Sequence, residues 1–415
     1  MKPNILYYSD CYFFAGCENM IANFLNDKSI QSDFSVSFAY NYSEKYEQGL
    51  NLRVSNTAYK KFPLRLMKQF IYQKPLSTSL IVSIAYRTFF AFYMLLYKYL
   101  AICVNTAILF RFFTKQKIDI LHINNGGYPA AYSCYSSVLA AKMAGVHKIV
   151  YVINNLTDDY KHPFRWLDYP IDFFIKKWVT VFITGSENAG ERLKKILKLD
   201  ESKQLTINNG IQKRTITLSK EQFKVKYSIL ENKFVASVVA NLETRKGHIF
   251  LLQAILQIKN QYPQSLIPLF IFEGLGPEKK SLEKYVSENE LDDFVLMIDY
   301  IPDVFNLLNA SDVVILPSIA SEDFPNIIIE AMSLGKPVIG TNIGGIPEQI
   351  ENNKTGIVVK PQNSDELKNA IIKLSSDLSV LQQFSVEAQK KFDALYEYSI
   401  SVNKYHNLYK LILTS

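Results

Sequence analysis

Two glutamates eight positions apart, Glu322 and Glu330, stand on either side of "DFPNIII", a strongly apolar run in a chain of 415 residues, and Gly344-Gly345 follow. The local pattern reads as a strand Val313–Pro317, a loop, a helix starting at Pro325 and ending at Gly335, and a strand from Pro337. Glu322 then lies in a loop at the carboxyl end of a strand, where open α/β sheets bind their ligands. Glu330 falls one to two turns inside the helix that begins there. The N-terminus of that helix faces the same crevice and suits an anion such as a diphosphate. Glu330 also interrupts "NIIIEAMSL" on what should be the buried side, where an unpaired charge is costly, so something polar must meet it.

The elements that would hold these residues follow from the rest of the pattern. From Phe234 onward, short apolar runs such as "FVASVVA", "IPLFIFEG", "FVLMI", "DVVILP" and "KPVIGT" alternate with amphipathic stretches, the signature of a parallel, doubly wound sheet. The first half repeats the idea with "NILYYS", "DFSVSFA", "DILHIN", "HKIVYVIN", "VTVFITGS" and "QLTIN" as strands. Two Rossmann-like domains follow, with a junction near Gly210 to Glu231. The length agrees, since 415 residues exceed one ordinary core.

Composition is that of a soluble globular protein, 48% apolar and 20% charged. Cys11, Cys17, Cys103 and Cys134 show no CxxC or Cys/His spacing, so neither a disulfide framework nor a zinc site is suggested, and a reducing cytoplasm is expected. The opening "MKPNILYYSD" reads as a buried strand, not a secretory signal. Net charge is +7, yet the window Gln48–Ile118 has no acid and eleven basic residues, leaving 7 − 11 = −4 for the remainder. The positive charge belongs to one surface.

Inside that window, Ser79–Phe113 looks at first like a membrane span. Its longest uncharged runs are 12 residues, broken by Arg87, Lys98 and Arg111, whereas a span needs about 20. Two readings stay open: a pair of core helices, or helices lying on an anionic bilayer with aromatic side chains in the interface and cations at headgroup level. The tail "YSISVNKYHNLYKLILTS" reads as a last helix packed on something.

The stretch "EDFPNIIIEAMSLGKPVIGTNIGGIPEQI…NNKTGIVV" resembles the donor-site signature of family 4 of the retaining glycosyltransferases, which have the GT-B fold. The resemblance extends to "VANLETRKGHIFLLQA", "IFEGLGPEKKSLEKYV", "FITGSENAGERL" and "NNGI", and "FAGCEN" near the N-terminus resembles the family's Gly-Gly-x-Glu loop. It implies that Glu322 contacts donor-sugar hydroxyls near the reacting carbon and that Glu330 accepts hydrogen bonds from the nucleotide ribose. Lys246 would neutralise the diphosphate, with Arg245 as an auxiliary. The N–H groups of Phe324 and Asn326 would face sugar or phosphate, the backbone at Tyr300–Ile301 the base, and Gly16 would let its loop approach the phosphates. The sequence departs from the family in two places: "ANL" (Ala240–Leu242) stands where relatives carry "GRL", and Asn154 stands where a catalytic His is expected. His122 is the nearby substitute, against its reading as a hydrogen-bonded residue at a strand end.

The resemblance therefore implies a GT-B protein, two Rossmann-like domains facing a central cleft. The division expected is an N-terminal acceptor domain at 1–214 with membrane-facing helices at 63–115, a donor domain at 215–398, and a helix at 399–415 crossing back. The activity implied is metal-independent, retaining transfer of a sugar from a UDP- or GDP-linked donor to a glycan or polyprenyl-linked acceptor in cell-surface polysaccharide assembly, at the inner face of the cell membrane. No cofactor is expected. A dehydrogenase is disfavoured because no G-x-G-x-x-G opens a helix after a strand, and Asp158-Asp159 lack the spacing of a metal-binding D-x-D pair. Nucleic acid suits the basic window less well than lipid, because long apolar runs separate the cations. An inactive nucleotide-sugar-binding scaffold is the rival reading, motivated by Asn154.

Overall fold

The computed structural model describes residues 2–11, 14, 16–68, 80–161, 163–301 and 303–414, with backbone alone over 80–91 and 163–164. The chain divides into two compact units. One comprises Met1–Gly185, Ala189–Ile207 and Val402–Ser415; the other comprises Ser186–Asn188 and Asn208–Ser401. The main boundary thus falls at 207/208 where 214/215 was expected, and the last helix, Tyr398–Thr414, contributes its residues from Val402 onward to the first unit.

The first unit holds seven parallel strands: β1 (Asn4–Ser9), β2 (Ser35–Asn41), β3 (Lys60–Leu64), β4 (Ile120–Asn125), β5 (Lys148–Ile153), β6 (Val181–Thr184) and β7 (Gln204–Thr206), in the order β3-β2-β1-β4-β5-β6-β7. Six of these were legible as apolar runs. β3, "KKFPL", was not, because Pro63 cannot donate to a ladder and strands containing proline are confined to sheet edges. It pairs with β2 at the edge, where Tyr42 N–H donates to the Leu64 carbonyl at 2.8 Å.

Helix Leu80–Phe113 is one continuous element of 34 residues, where a pair was one of the open readings. Ala101, Ile102, Asn105, Leu109 and Phe113, spaced along one helical face, are buried. Ile102, Leu109 and Phe113 join Cys134, Tyr135 and Val138 of helix Tyr132–Met143 in one apolar cluster. Asn105 satisfies the Met67 backbone in both directions, at 2.8 and 3.1 Å. By length and composition Phe92–Phe113 could cross a bilayer, but this packing makes its C-terminal half a core helix. Phe92, Leu96 and Leu100 are exposed. Residues 69–79 of the basic window lie outside the described residues.

The second unit holds β8 (Val235–Val239), β9 (Leu269–Glu273), β10 (Val295–Ile298), β11 (Val313–Leu316), β12 (Val338–Thr341) and β13 (Gly356–Val359), all parallel, in the order β10-β9-β8-β11-β12-β13. Successive residues of a strand point to opposite faces, and β11 shows why its run is apolar throughout. Val313 and Ile315 pack with helices His248–Gln261 and Ser364–Ser376 on one side; Val314 and Leu316 pack with helix Asn326–Ser333 and helix Leu378–Leu395 on the other.

His122, on β4, is sealed in the first unit between the rings of Tyr7, Phe24, Tyr405 and Tyr409, with Nδ1 2.7 Å from the Tyr409 hydroxyl. Burial pushes its pKa down to about 3. A folded-state pKa below the unfolded value gives stability that is complete above the unfolded pKa and is lost as pH falls toward the folded one. In His122→Gln, the pH dependence of unfolding free energy between about pH 6 and 4 should lose about 1.4 kcal/mol per pH unit of slope relative to wild type. Denaturant unfolding of both proteins across that range measures it; equal slopes would contradict a buried neutral imidazole.

Candidate functional site

In the second unit the strand order reverses between β8 and β11, and ligand crevices form beyond strand carboxyl ends at such a point. The loop after β8 carries Arg245 and Lys246 in a single turn, Thr244–Lys246, that ends at Gly247. Gly247 has φ +69, and a Cβ there would lie 2.0 Å from the Pro317 carbonyl oxygen. Glycine is therefore required for the two loops to touch. The contact is completed by Ile319 N–H donating to the Arg245 carbonyl at 2.8 Å.

This closure sets Lys246 Nζ 2.5 Å from Glu322 Oε1, with both side chains largely buried. Ser318 Oγ donates to the same oxygen at 2.7 Å, and Arg245 Nη1 stands 3.6 Å from it. Arg245 also pairs with Glu243 at 2.8 Å. Glu322 is thus a carboxylate surrounded by cations and a hydroxyl. Its neighbour Ser321 adopts φ +57, a left-handed conformation that costs a non-glycine residue roughly 1–2 kcal/mol. Behind the lysine, His248 is buried, and burial, then the Lys246 charge, lower its pKa to about 4.

The Gly344-Gly345 pair holds this loop from the other side. Gly344 has φ +54, and a Cβ on it would fall 1.7 Å from the Glu322 carbonyl oxygen; one on Gly345 would meet the Asp323 carbonyl at 2.1 Å. Asp323 is buried and accepts from Ser186 Oγ at 2.5 Å. The sequence pattern gave no reason to single out Asp323 or Ser186, since a lone Asp in a loop reads as solvated.

Helix Asn326–Ser333 starts one residue later than expected, with Pro325 as its N-cap and Gly335 (φ +63) closing its far end. Its positive dipole end adjoins the Glu322 loop. Asn326 Oδ1 accepts from Asn209 at 3.1 Å, and Phe324 is buried with its ring edge-on to Tyr396. Glu330 is half-buried rather than buried: Ile328, Ile329, Ala331 and Met332 take the inward face of the helix. The need for a polar group to meet a buried charge at Glu330 is accordingly smaller than the pattern implied. Ile301 N–H donates to Glu273 at 2.7 Å, so this N–H is already engaged within the protein; Tyr300 is exposed, and Pro302 lies outside the described residues.

The first unit repeats the arrangement. Its strand order reverses between β1 and β4, and the loop after β1 carries Gly16 in the turn Gly16–Glu18. Glu18 is fully buried and accepts from Ser9 at 2.7 Å, Tyr46 at 3.1 Å and Asn124 at 3.2 Å. Burial nonetheless raises its pKa. Asn154, following β5, donates to Asn124 Oδ1 at 2.8 Å and to the Asn125 carbonyl at 2.9 Å. Asn124 therefore links Asn154 to the Gly16 loop, a connection that sequence spacing could not show. His122 lies below this network in the core, which favours its hydrogen-bonded reading over a catalytic one. Cys11 and Cys17, unremarkable by spacing, are brought to 3.8 Å between sulfurs beside Glu18. The hydrogen bond to Cys17, and then burial, hold the Cys11 thiol well above its ordinary pKa.

Residues 219–391 match the family model described as glycosyl transferases group 1. The second unit carries that family's domain. The Escherichia coli UDP-Gal:alpha-D-GlcNAc-diphosphoundecaprenol alpha-1,3-galactosyltransferase is 28% identical over 72% of this chain and 77% of its own. The Staphylococcus aureus capsular polysaccharide biosynthesis glycosyltransferase CapM is 25% identical over 50% of this chain and 54% of its own. Anabaena HepE in complex with UDP superposes with a TM-score of 0.76 at 17% identity, covering 99% of this chain and 100% of that one. The parallel sheets of seven and six strands are thus those of a GT-B glycosyltransferase, as the sequence resemblance implied.

Gly344→Ala tests whether this glycosyltransferase needs the close approach at Glu322. Positive φ and overlap with a carbonyl together should cost about 2–4 kcal/mol. Calorimetric melting should show the second unit destabilised, and titration should show nucleotide affinity lost. A variant with wild-type melting and affinity would mean that the loop is free to move aside.

Proposed function

We propose that the protein transfers a sugar from a UDP- or GDP-linked donor to a glycan or polyprenyl-linked acceptor with retention of configuration and without a metal ion. We place it in cell-surface polysaccharide assembly (O-antigen, capsule or exopolysaccharide), at the cytoplasmic face of the membrane. The observation that carries the reading is the Lys246–Glu322 pair at the β8/β11 reversal, beside a helix N-terminus. Relatives named for a diphosphoundecaprenol-linked galactosyl transfer and for capsular polysaccharide support the acceptor class, and a structural neighbour holding UDP supports the donor class.

In the chemistry proposed, the donor diphosphate draws the Lys246 ammonium away from Glu322, a task for a compact charge on a flexible stem. Arg245 stands in for the cation missing from "ANL", since its guanidinium already reaches the Glu322 loop. Glu322, released, accepts hydroxyls of the donor sugar. Glu330 reaches the ribose, Phe324 and Asn326 present backbone N–H groups, and Tyr300–Ile301 border the base. As the sugar–phosphate bond lengthens, negative charge grows on the diphosphate and positive charge on the anomeric carbon. Lys246 and the dipole of helix Asn326–Ser333 stabilise the first because they are already aimed where it develops. Glu322 orients the sugar and offsets the second.

Lys246→Ala and Glu330→Gln should each weaken nucleotide-sugar binding about ten- to a hundredfold through loss of a charge-assisted hydrogen bond of roughly 1.5–3 kcal/mol. Calorimetric titration of folded variants decides it, and unchanged affinities would place the donor elsewhere.

Glu322→Gln keeps shape and removes charge, so turnover should fall far more than donor affinity, as for an interaction made mainly in the transition state. NMR of the product should show the donor's anomeric configuration, and a chelator should leave the rate unchanged. An inverted product or full turnover in Glu322→Gln would overturn the mechanism; a chelator-sensitive rate would overturn its metal-free part. A scaffold would bind nucleotide sugar and release no nucleotide when acceptor is added.

A further inference from the structure

Helix Tyr169–Trp178 is inside out for a surface helix. Its buried residues are Asp172 and Ile175, and the preceding Asp168 is buried too. Asp172 accepts from the hydroxyls of Tyr128, Tyr135 and Tyr160 at 2.7, 2.9 and 2.6 Å and pairs with Arg165 at 2.6 Å. Asp168 pairs with Arg165 at 3.2 Å and with Lys98. The carboxylates thus point inward, to a knot of cations and phenols.

The outward face is aromatic. Trp166 is 60% exposed, and Tyr169, Phe173 and Phe174 are exposed alongside it. Ring contacts join Trp166 to Tyr169 and Phe173 to Phe174. Helix Leu80–Phe113 lies against this segment, because Tyr99 donates to the Leu167 carbonyl at 2.7 Å and Lys98 reaches Asp168. It adds Leu96 and Leu100, each 56% exposed. Single exposed apolar residues are ordinary, but four exposed aromatic rings between Trp166 and Phe174, with ring contacts among them, mark a contact surface.

We propose that this composite face seats the first unit on an anionic lipid bilayer, with Trp166, Phe173 and Phe174 entering the interfacial layer. Charge decides the occupant. The window supplying one helix has eleven basic residues and no acid, and Lys176 and Lys177 end the other. Asp168 and Asp172, which would repel anionic headgroups, are neutralised inside. Aromatic rings flanked by cations match the acyl–headgroup boundary. The inference deepens the membrane reading proposed above and extends it to the aromatic residues Trp166, Phe173 and Phe174, outside the basic window.

Trp166 and Trp178 are the two tryptophans, so Trp178→Phe makes Trp166 the reporter. On adding phosphatidylcholine vesicles containing phosphatidylglycerol, Trp166 emission should shift to the blue and be quenched by brominated acyl chains, less so without phosphatidylglycerol or at high salt. Trp166→Ser/Phe173→Ser/Phe174→Ser should partition at least about tenfold more weakly while keeping its melting temperature and its affinity for UDP or GDP. Unchanged partitioning of the triple variant, or no partitioning of wild type, overturns the inference. So does sedimentation showing that the variant loses self-association instead, which would make the face an interface between copies. Nucleotide affinity without partitioning would refute this face and leave the transferase reading standing; partitioning without nucleotide affinity would do the reverse.

Discussion

A carboxylate held out of water needs cations or donors around it, and much of the second unit is arranged to supply them to Glu322. Lys246 comes from the loop after β8, Ser318 from the end of β11, and Arg245 from beside the lysine. Each arrives only because two backbones touch, at Gly247 against Pro317 and at Gly344 against Glu322 itself. The pair is therefore as much a consequence of glycine as of charge. Held by three chain segments, the 245–246 loop, Ser318 and Gly344, Glu322 has little orientational freedom left to lose, which is the condition for electrostatic preorganisation.

The two units solve the same problem with different chemistry. In both, a parallel sheet reverses its strand order and leaves a crevice beyond adjacent carboxyl ends. The second unit fills its crevice with formal charge. The first fills it with amides around one buried acidic side chain: Asn154 donates to Asn124, and Asn124 donates to Glu18 beside the Gly16 turn.

What the sequence made legible, and what it did not, follows from the range of the interactions. Strands buried on both faces announce themselves as apolar runs, and eleven of the thirteen described strands were legible in that way; β3, with Pro63 at the edge of the described sheet, lacks the pattern. Glu322 and Lys246 were readable through their motifs. Glu18 stood within a quoted motif, yet its partners Tyr46 and Asn124 are 28 and 106 positions away. Glu330 was misplaced by a fraction of a helical turn, enough to move it from a buried to a half-buried position. The aromatic face on helix Tyr169–Trp178 was invisible because hydropathy suggests that rings point inward, and the three tyrosines and Arg165 that hold Asp172 inside reverse that orientation.

The Tyr405 and Tyr409 rings that enclose His122 come from the final dozen residues of the chain. A chain broken after position 401 would keep Lys246, Glu322 and all thirteen described strands. The first unit would nevertheless lose the aromatic wall on one side of its central strands, with Tyr7 and Phe24 left facing water. A screen for loss-of-function alleles should therefore recover chain breaks between Ser401 and Tyr405 as readily as changes in the donor loops.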